Sequence, residues 1–464
     1  MGHIAVFALL VASSLCFCGG FGLQFPSTHE SVKLFQLWSR QEQNATRAGL
    51  FDFVWSLYDG EELARYRKAR DRAQPAVLSR YVPYGIAGAD DPGVSGPANV
   101  NFANLSWWQE HHPSWILYQC DRKTPATYWG PGIGLDISNP DVIAWMLGST
   151  PEYATENSLS VSNITARGFD AISLDVYSFG NWFKACGIWE SPGVWKDKYT
   201  NATNDSEYRK DTLEWLQKFY EGIDSRLLLI PNHASHMGNP TPGFWGYDAW
   251  NSSAMYIVGN NTDGVLSEEG FSGFGVFGKF VTGDQWWNKI YFMQNLQRHG
   301  KAYMSVNYWG PNNTSTKKPE PLTDDVMNFI VASFALGKGN SSYLFLGPNQ
   351  CAYGSGSEST CTCGIWCFKD VFELGVNPDI GAALGMMRET SPNGGVWMRE
   401  FERGVAYVNP HDEGTGPPRN VSLDKSFVYT DLWGKEFTIA TFELPDASGI
   451  VLLRRLKAPY MKDA

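Results

Sequence analysis

Short apolar runs alternate with amphipathic helical stretches through most of the chain, and no other feature constrains the fold as strongly. The runs are DFVWSLY (52–58), AVLSRYVPY (76–84), SWILYQC (114–120), AISLDVY (171–177), LLLIPNH (227–233), GVLSEE (264–269), AYMSVNY (302–308) and YLFLG (343–347). Strands that alternate with helices build parallel sheets, because a parallel pair needs a crossover between its members. Eight repeats over roughly 300 residues fit an α/β fold of the closed (β/α)8, or TIM, barrel type. An open doubly wound sheet is the alternative. It carries a Gly-rich nucleotide loop after its first strand, and none is present here.

The helical stretches have readable starts. Asn139 precedes Pro140 and Asp141, a cap followed by a favourable first turn, and Val142, Ile143 and Trp145 follow. Leu213, Leu216, Tyr220 and Ile223 share a helical face, as do Trp286, Ile290 and Met293. Thr323 caps a stretch that opens with Asp324 and Asp325 and carries Val326, Phe329, Ile330 and Phe334 inward. From about residue 393 the period changes to two, in VWMREF, GVAYVNP, FVYTDLWG, FTIATFELP and GIVLLRR, which reads as a small C-terminal antiparallel β domain. The expected organisation is a signal peptide over 1–22, the barrel over 23–390 and the β domain over 391–464.

Composition narrows the function. A hydrophobic fraction of 43% with 18% charged residues excludes global disorder. The net charge of −11, without a cluster of Lys and Arg, argues against a nucleic-acid partner. The N-terminal apolar run from Ile4 to about Phe17 is too short to span a bilayer and fits a secretory signal, and no other run is long enough to span one. Asn-X-Ser/Thr acceptors at Asn44, Asn104, Asn163, Asn201, Asn204, Asn251, Asn260, Asn312, Asn313, Asn340 and Asn420 point to an exported, N-glycosylated chain. Beyond the signal six cysteines remain, four of them within 351–367; disulfides are expected there, with Cys120–Cys186 as a second bridge. Core packing accounts for most of the 19 Trp, and the surplus suits stacking against sugar rings.

In a barrel of this kind the working residues stand at the C-terminal ends of the strands. That rule selects Asp121, Asp175, Asn232, His233, Glu268, Glu269, Asn307 and Tyr308. If Asp175 points into the mouth, Ser173 and Ala171 lie below it, while Ile172 and Leu174 face the helices: small residues inside, branched ones outside. An acid in so apolar a strand is costly unless it is paired or used. Asp170 precedes Asp175 by five residues, and Asp263 precedes Glu268 by five. Equal phase places Glu268 in the mouth, whereas parity favours Glu269, since that choice sends Leu266 out to the helices. Two acids across a mouth are what glycosidic cleavage requires, one to protonate the leaving oxygen and one to attack the anomeric carbon or activate water. The expected substrate contacts are Tyr84, Asp121, Trp129, Tyr177, Asn232, His233, Asn307 and Trp309. His233 and His236 lack a third ligand, so no metal is expected, and no cofactor.

Four motifs in order also resemble a known group. GFDAISLDVYS resembles the Asp-bearing fourth strand of several barrel glycosidases, and DGVLSEEGF their acid-bearing sixth strand. GIGLDISNPDVIAWM resembles the stretch after their third strand, and DLWGKEF with FELPDASGIVLL the β domain that follows the barrel. Together, over residues 52–453, they resemble the hypothetical glycoside hydrolase family 15 and, more distantly, the endo-α-1,4-polygalactosaminidase group, family 114. The resemblance implies a barrel with Asp175 as nucleophile or base and Glu268 or Glu269 as general acid. The resulting expectation is a secreted glycoside hydrolase of an extracellular or cell-wall polysaccharide; a carbohydrate-binding barrel without catalysis is the alternative. Oligomeric state is left open.

Overall fold

The structure is a computed structural model that describes residues 25–37, 51–57, 60–68, 76–84, 86–87, 105–128, 132–223, 226–233, 251–268, 270–272, 280–309, 323–348, 379–390 and 394–457. Eight parallel strands form its centre: β1 Lys33–Gln36, β2 Phe53–Leu57, β3 Val77–Pro83, β4 Ala171–Asp175, β5 Leu228–Pro231, β6 Gly264–Ser267, β7 Ala302–Trp309 and β8 Ser342–Pro348. Each pairs with its neighbour in chain order, and β8 pairs with β1. The seam between β5 and β6 is closed by a parallel bridge from Asn232 to Leu266, by the His233 amide donating to the Leu266 carbonyl at 2.7 Å, and by the Asp263 amide donating to Leu229 at 2.9 Å. The ring therefore has no free edge, as a (β/α)8 barrel requires.

Side-chain alternation sorts each strand. Ala171, Ile230, Leu266 and Met304 join Phe35, Phe53 and Trp55 in the barrel interior. Ile172, Leu174, Leu229 and Val265 face the helical layer. Ser79 and Ser173 sit inside as well, and both hydroxyls donate to the Trp55 carbonyl. The small-inside, branched-outside reading of β4 thus holds.

Two strand assignments change. The run 114–120 is not a stave. Residues Pro113–Trp115 form a 3-10 turn, and Ile116 and Tyr118 make isolated bridges to Leu135, Pro125 and Gly187 within the long β3–β4 connection. The run is nonetheless buried, which explains why it resembles a strand: apolarity reports burial, not the partner. The first stave is β1, a four-residue strand too short to show a period. From β4 onward the count agrees with the sequence reading. Cys120 and Cys186 are joined by a disulfide, which ties the 120 turn to the hairpin of Gly187–Ser191 with Val194–Asp197.

The helix starts follow the expected chemistry. The Asn139 side-chain Oδ1 accepts from the Asp141 amide at 2.9 Å, and the Thr323 hydroxyl accepts from the Val326 amide at 3.4 Å. In helix Ser206–Gly222 the buried face is carried by Tyr208, Thr212, Trp215, Leu216 and Phe219, whereas Leu213 and Tyr220 are only partly covered. Among the described residues no helix is long and apolar enough to cross a membrane.

The tail is antiparallel, as its period predicts. Strands β9 Trp397–Glu400, β10 Gly404–Asn409, β11 Phe427–Thr430 and β12 Ser448–Leu456 belong to a six-stranded sheet. Its first strand is Arg388–Glu389, so the sheet begins slightly before the expected boundary at 391. Helix Asp324–Gly337 lies against it. A Cβ at Gly449 would stand 3.0 Å from the Ala332 Cβ, so glycine permits this approach. Arg399 caps the same helix by donating to the carbonyls of Ala335, Leu336 and Lys338.

Candidate active site

Inward-facing residues of β3 and β4, and those just past β5 and β6, meet at the C-terminal mouth. They are Tyr81, Asp175, Asn232 and Glu268. Asp175 accepts a hydrogen bond on each oxygen: from the Tyr81 hydroxyl to Oδ2 at 2.7 Å and from the Asn232 amide to Oδ1 at 2.9 Å. The same amide nitrogen donates to Glu268 Oε2 at 2.9 Å. One –NH2 group thus spends its two protons on two acids from different strands. Were both bonds linear, along N–H directions ~120° apart, two oxygens at 2.9 Å from a single nitrogen would lie about 5 Å from each other.

The choice between the two glutamates follows from phase. Leu266 belongs to the interior cluster, and Glu268 is two residues on, so it faces the same way. Glu269 lies outside the described residues. The fivefold spacing noted in the sequence also has a physical basis. At the opposite end of the barrel, Asp170 Oδ2 accepts from the Leu78 amide at 2.9 Å and Asp263 Oδ2 from the Leu229 amide at 2.8 Å. Each acid is pinned to the preceding strand, so β4 and β6 start from equivalent points.

Local backbone shape aims the pair. Val176, directly after Asp175, has φ +62°. A β-branched residue in the left-handed region is strained by about 1–3 kcal/mol, and such strain persists where the surroundings impose it. The Tyr84 amide holds the Asp175 carbonyl at 2.9 Å, which fixes this turn. After Glu268, the Gly270 amide donates to Val306 O at 2.9 Å, and a Cβ at Gly270 would stand 2.3 Å from Asn307 Oδ1. Glycine is required for the chain to come that close.

The expected substrate contacts separate into groups. Asn232 reaches the pair, but as its bridge, with both protons committed. Asn307 does not face the mouth. It shares the outward phase of Tyr303, and its Oδ1 accepts from the Phe271 and Ser272 amides while its Nδ2 donates to Ser305 and Phe345. It anchors the segment after Glu268. Tyr84 is fully buried, donates to Thr212 at 3.2 Å and packs edge-on against Tyr177 and Trp215. Tyr177 is buried too, against Phe179 and His233, and desolvation raises its phenol well above its ordinary range. His233 is buried, with its ring on Phe179 at 4.6 Å. These three form the packed wall behind the mouth. Asp121 follows no barrel strand. Its oxygens accept from the Thr124 hydroxyl and from the Lys123 and Thr124 amides, holding its own exposed turn and lowering its pKa. Trp129 lies outside the described residues, as does the side chain of Trp309.

Tyr81 is the residue that sequence reasoning passed over. The run 76–84 placed its end at Tyr84, three residues too far along and in the opposite phase. The signal was present, since Val77 and Ser79 share the phase of Tyr81. Its ring is held edge-on by Trp55, with centroids 5.9 Å apart. Among the described residues no group of three or more His, Cys, Asp or Glu stands close enough to hold a metal ion.

No family model and no curated protein sequence matches the chain. Among solved structures it is similar to a GH27 β-L-arabinopyranosidase from Geobacillus stearothermophilus, at 12% identity and a TM-score of 0.43 over 94% of this chain and 98% of that one. It is also similar to the trehalose-6-phosphate hydrolase of Bacillus licheniformis, at 9% and 0.45 over 93% and 100%, and to Amy13B of Eubacterium rectale, at 9% and 0.46 over 94% and 98%. At such identities and scores these likenesses carry no weight; the barrel rests on its own strand order.

Proposed function

We propose that this chain is a retaining glycoside hydrolase in which Asp175 is the nucleophile and Glu268 the general acid and base. The observation that carries the reading is the single Asn232 amide lying on both carboxylates. A gap of about 5–5.5 Å suits a double displacement, whereas ~6.5–9.5 Å leaves room for a water and gives inversion. Asp175, with a donor on each oxygen, is set up to act as an anion. Its oxygen attacks the anomeric carbon as the glycosidic C–O bond breaks, and the departing oxygen takes the proton of Glu268. The Glu268 carboxylate then removes a proton from water, whose oxygen attacks the same carbon and releases Asp175.

The substrate class is an extracellular or cell-wall polysaccharide, and the enzyme is exported. The disulfide between Cys120 and Cys186 fits an oxidising compartment. The acceptors Asn201, Asn204, Asn251, Asn260, Asn340 and Asn420 are exposed, as glycan carriers must be. Asn163 is different: its amide donates to Ala154 O, Asn157 O and Ser160 Oγ, so it is spent on local structure.

The test is a panel of polysaccharides and 4-nitrophenyl glycosides with product analysis by NMR. Wild-type protein is expected to release a product with retained anomeric configuration, and Asp175→Asn to fold while losing at least about 1,000-fold in turnover. A variant as active as wild type would overturn the assignment. Glycan binding that survives Asp175→Asn, with no product from either protein, would replace it with a non-catalytic binding barrel.

A further inference from the structure

We propose that Asn232 is a positioning residue that sets the distance between the two carboxylates; the proposal rests on the hydrolase reading above only for its consequence in turnover. Asn232 follows β5 directly, between the strands of the two acids, and its backbone has no freedom of register. Its amide donates to the Leu174 carbonyl at 2.7 Å on one side, and it bridges Leu266 on the other. The side chain is therefore delivered to one place.

The side-chain amide has two protons and uses one on each acid. Its own oxygen is buried and has no hydrogen-bond partner among the described residues. An orphaned buried acceptor is costly, and proteins seldom keep one without compensation. Here the compensation is visible. Turning the amide over would set Oδ1 against two carboxylates, so the acids alone dictate its orientation. A residue chosen to bind a sugar hydroxyl would keep a proton or an exposed oxygen for it; Asn232 has both protons committed and its oxygen buried.

The bridge also answers an electrostatic difficulty. Two carboxylates about 5 Å apart in a partly buried mouth repel each other, and without a shared donor they relax by turning apart. Tyr81 braces Asp175 from the far side, and His233, the next residue along, is packed into the wall. Asn232 is the group that lies between the acids and spans both.

Crystal structures of the full chain, wild type and Asn232→Ala, test this without a substrate. The closest Asp175–Glu268 oxygen separation is expected to change by about 1 Å or more in the variant, a displacement of the size that costs catalysis about 100-fold. Asn232→Asp supplies a near-isosteric second variant. Its carboxyl can donate only when protonated, and then one hydrogen bond where the amide gives two, so with a 4-nitrophenyl glycoside that wild type cleaves, its turnover should fall about 100-fold at pH 7 and recover only in part towards acid. Asn232→Ala should lose activity without that recovery. An unchanged separation in Asn232→Ala, or wild-type turnover and pH profile in both variants, overturns the positioning role. The two readings fail separately. If Asp175→Asn is inactive while the Asn232 variants match wild type, only the positioning role is lost. If Asp175→Asn is active, the hydrolase reading is lost and the crystallographic separation still decides the role of Asn232.

Discussion

The strands β4 and β6 each have an acid at both ends, and the two ends of the barrel use them differently. At the N-terminal end, Asp170 and Asp263 each accept a backbone amide from the neighbouring strand, Leu78 and Leu229 respectively, and Asp263 also accepts from the Tyr220 hydroxyl at 3.0 Å. Those carboxylates are tied to the frame. At the C-terminal end, Asp175 and Glu268 are drawn together onto one side-chain amide, and all four acids are partly exposed. A carboxylate tied to backbone donors contributes to stability. One that shares a donor with another carboxylate at an open mouth is available for chemistry. The same residue types, five positions apart on the same two strands, take on different work because their partners differ.

This contrast can be broken by experiment. The largest effect is expected at the mouth. Glu268→Gln should lower kcat on substrates with poor leaving groups by about 1,000-fold, in line with the loss of a general acid, and leave Tm within about 2 °C of wild type. Kinetics set beside a thermal melt decide it; a large drop in Tm would make Glu268 a structural acid like its counterpart. Asp263→Asn should do the reverse, costing about 2 kcal/mol of stability in urea titrations while kcat/KM stays within about twofold. Should Asp263→Asn lose activity at full stability, the two ends would not divide their work as proposed.

The smallest effect concerns Lys338, also at the N-terminal end. Its ammonium is buried beside Phe401 and donates to His29 O at 2.9 Å; desolvation, with the neighbouring Arg399 charge, pushes its pKa down to about 7. Between pH ~7 and its ordinary value of ~10.4 the unfolded chain binds more protons than the folded one, so this group makes stability rise with pH across that window and lowers it most below pH ~7. Lys338→Met should flatten the Tm difference between pH 6.5 and pH 9 relative to wild type. An unchanged pH slope would place the lysine outside the linkage, and activity is expected to be indifferent to the change.

How much was legible follows from what each signal reports. Asp175 could be found because its strand is otherwise apolar and its phase puts small residues below it. Equal phase with β4 pointed to Glu268 and parity to Glu269; the parity argument needed Leu266 among the helices, and Leu266 lies in the barrel interior. Asn307 was misplaced because the end of a strand was read without its phase, and an outward Asn at a strand end serves the neighbouring loop. Tyr84 stood in for Tyr81 for a similar reason: the run continues past the point where the backbone leaves the sheet. The run 114–120 carried the burial of a strand without its pairing.

By itself the sequence determined the class of fold, the antiparallel tail, several helix starts and two strands that are costly without a use for their acids, since period, capping and burial are local properties written in neighbouring residues. Only the tertiary structure decided that β1 is a stave, that Tyr81 supports Asp175, and that Asn232 joins Asp175 to Glu268. Those facts depend on which side chains meet across strands separated by tens of residues, and a hydrogen bond is fixed by distance and direction in space, neither of which a linear pattern contains.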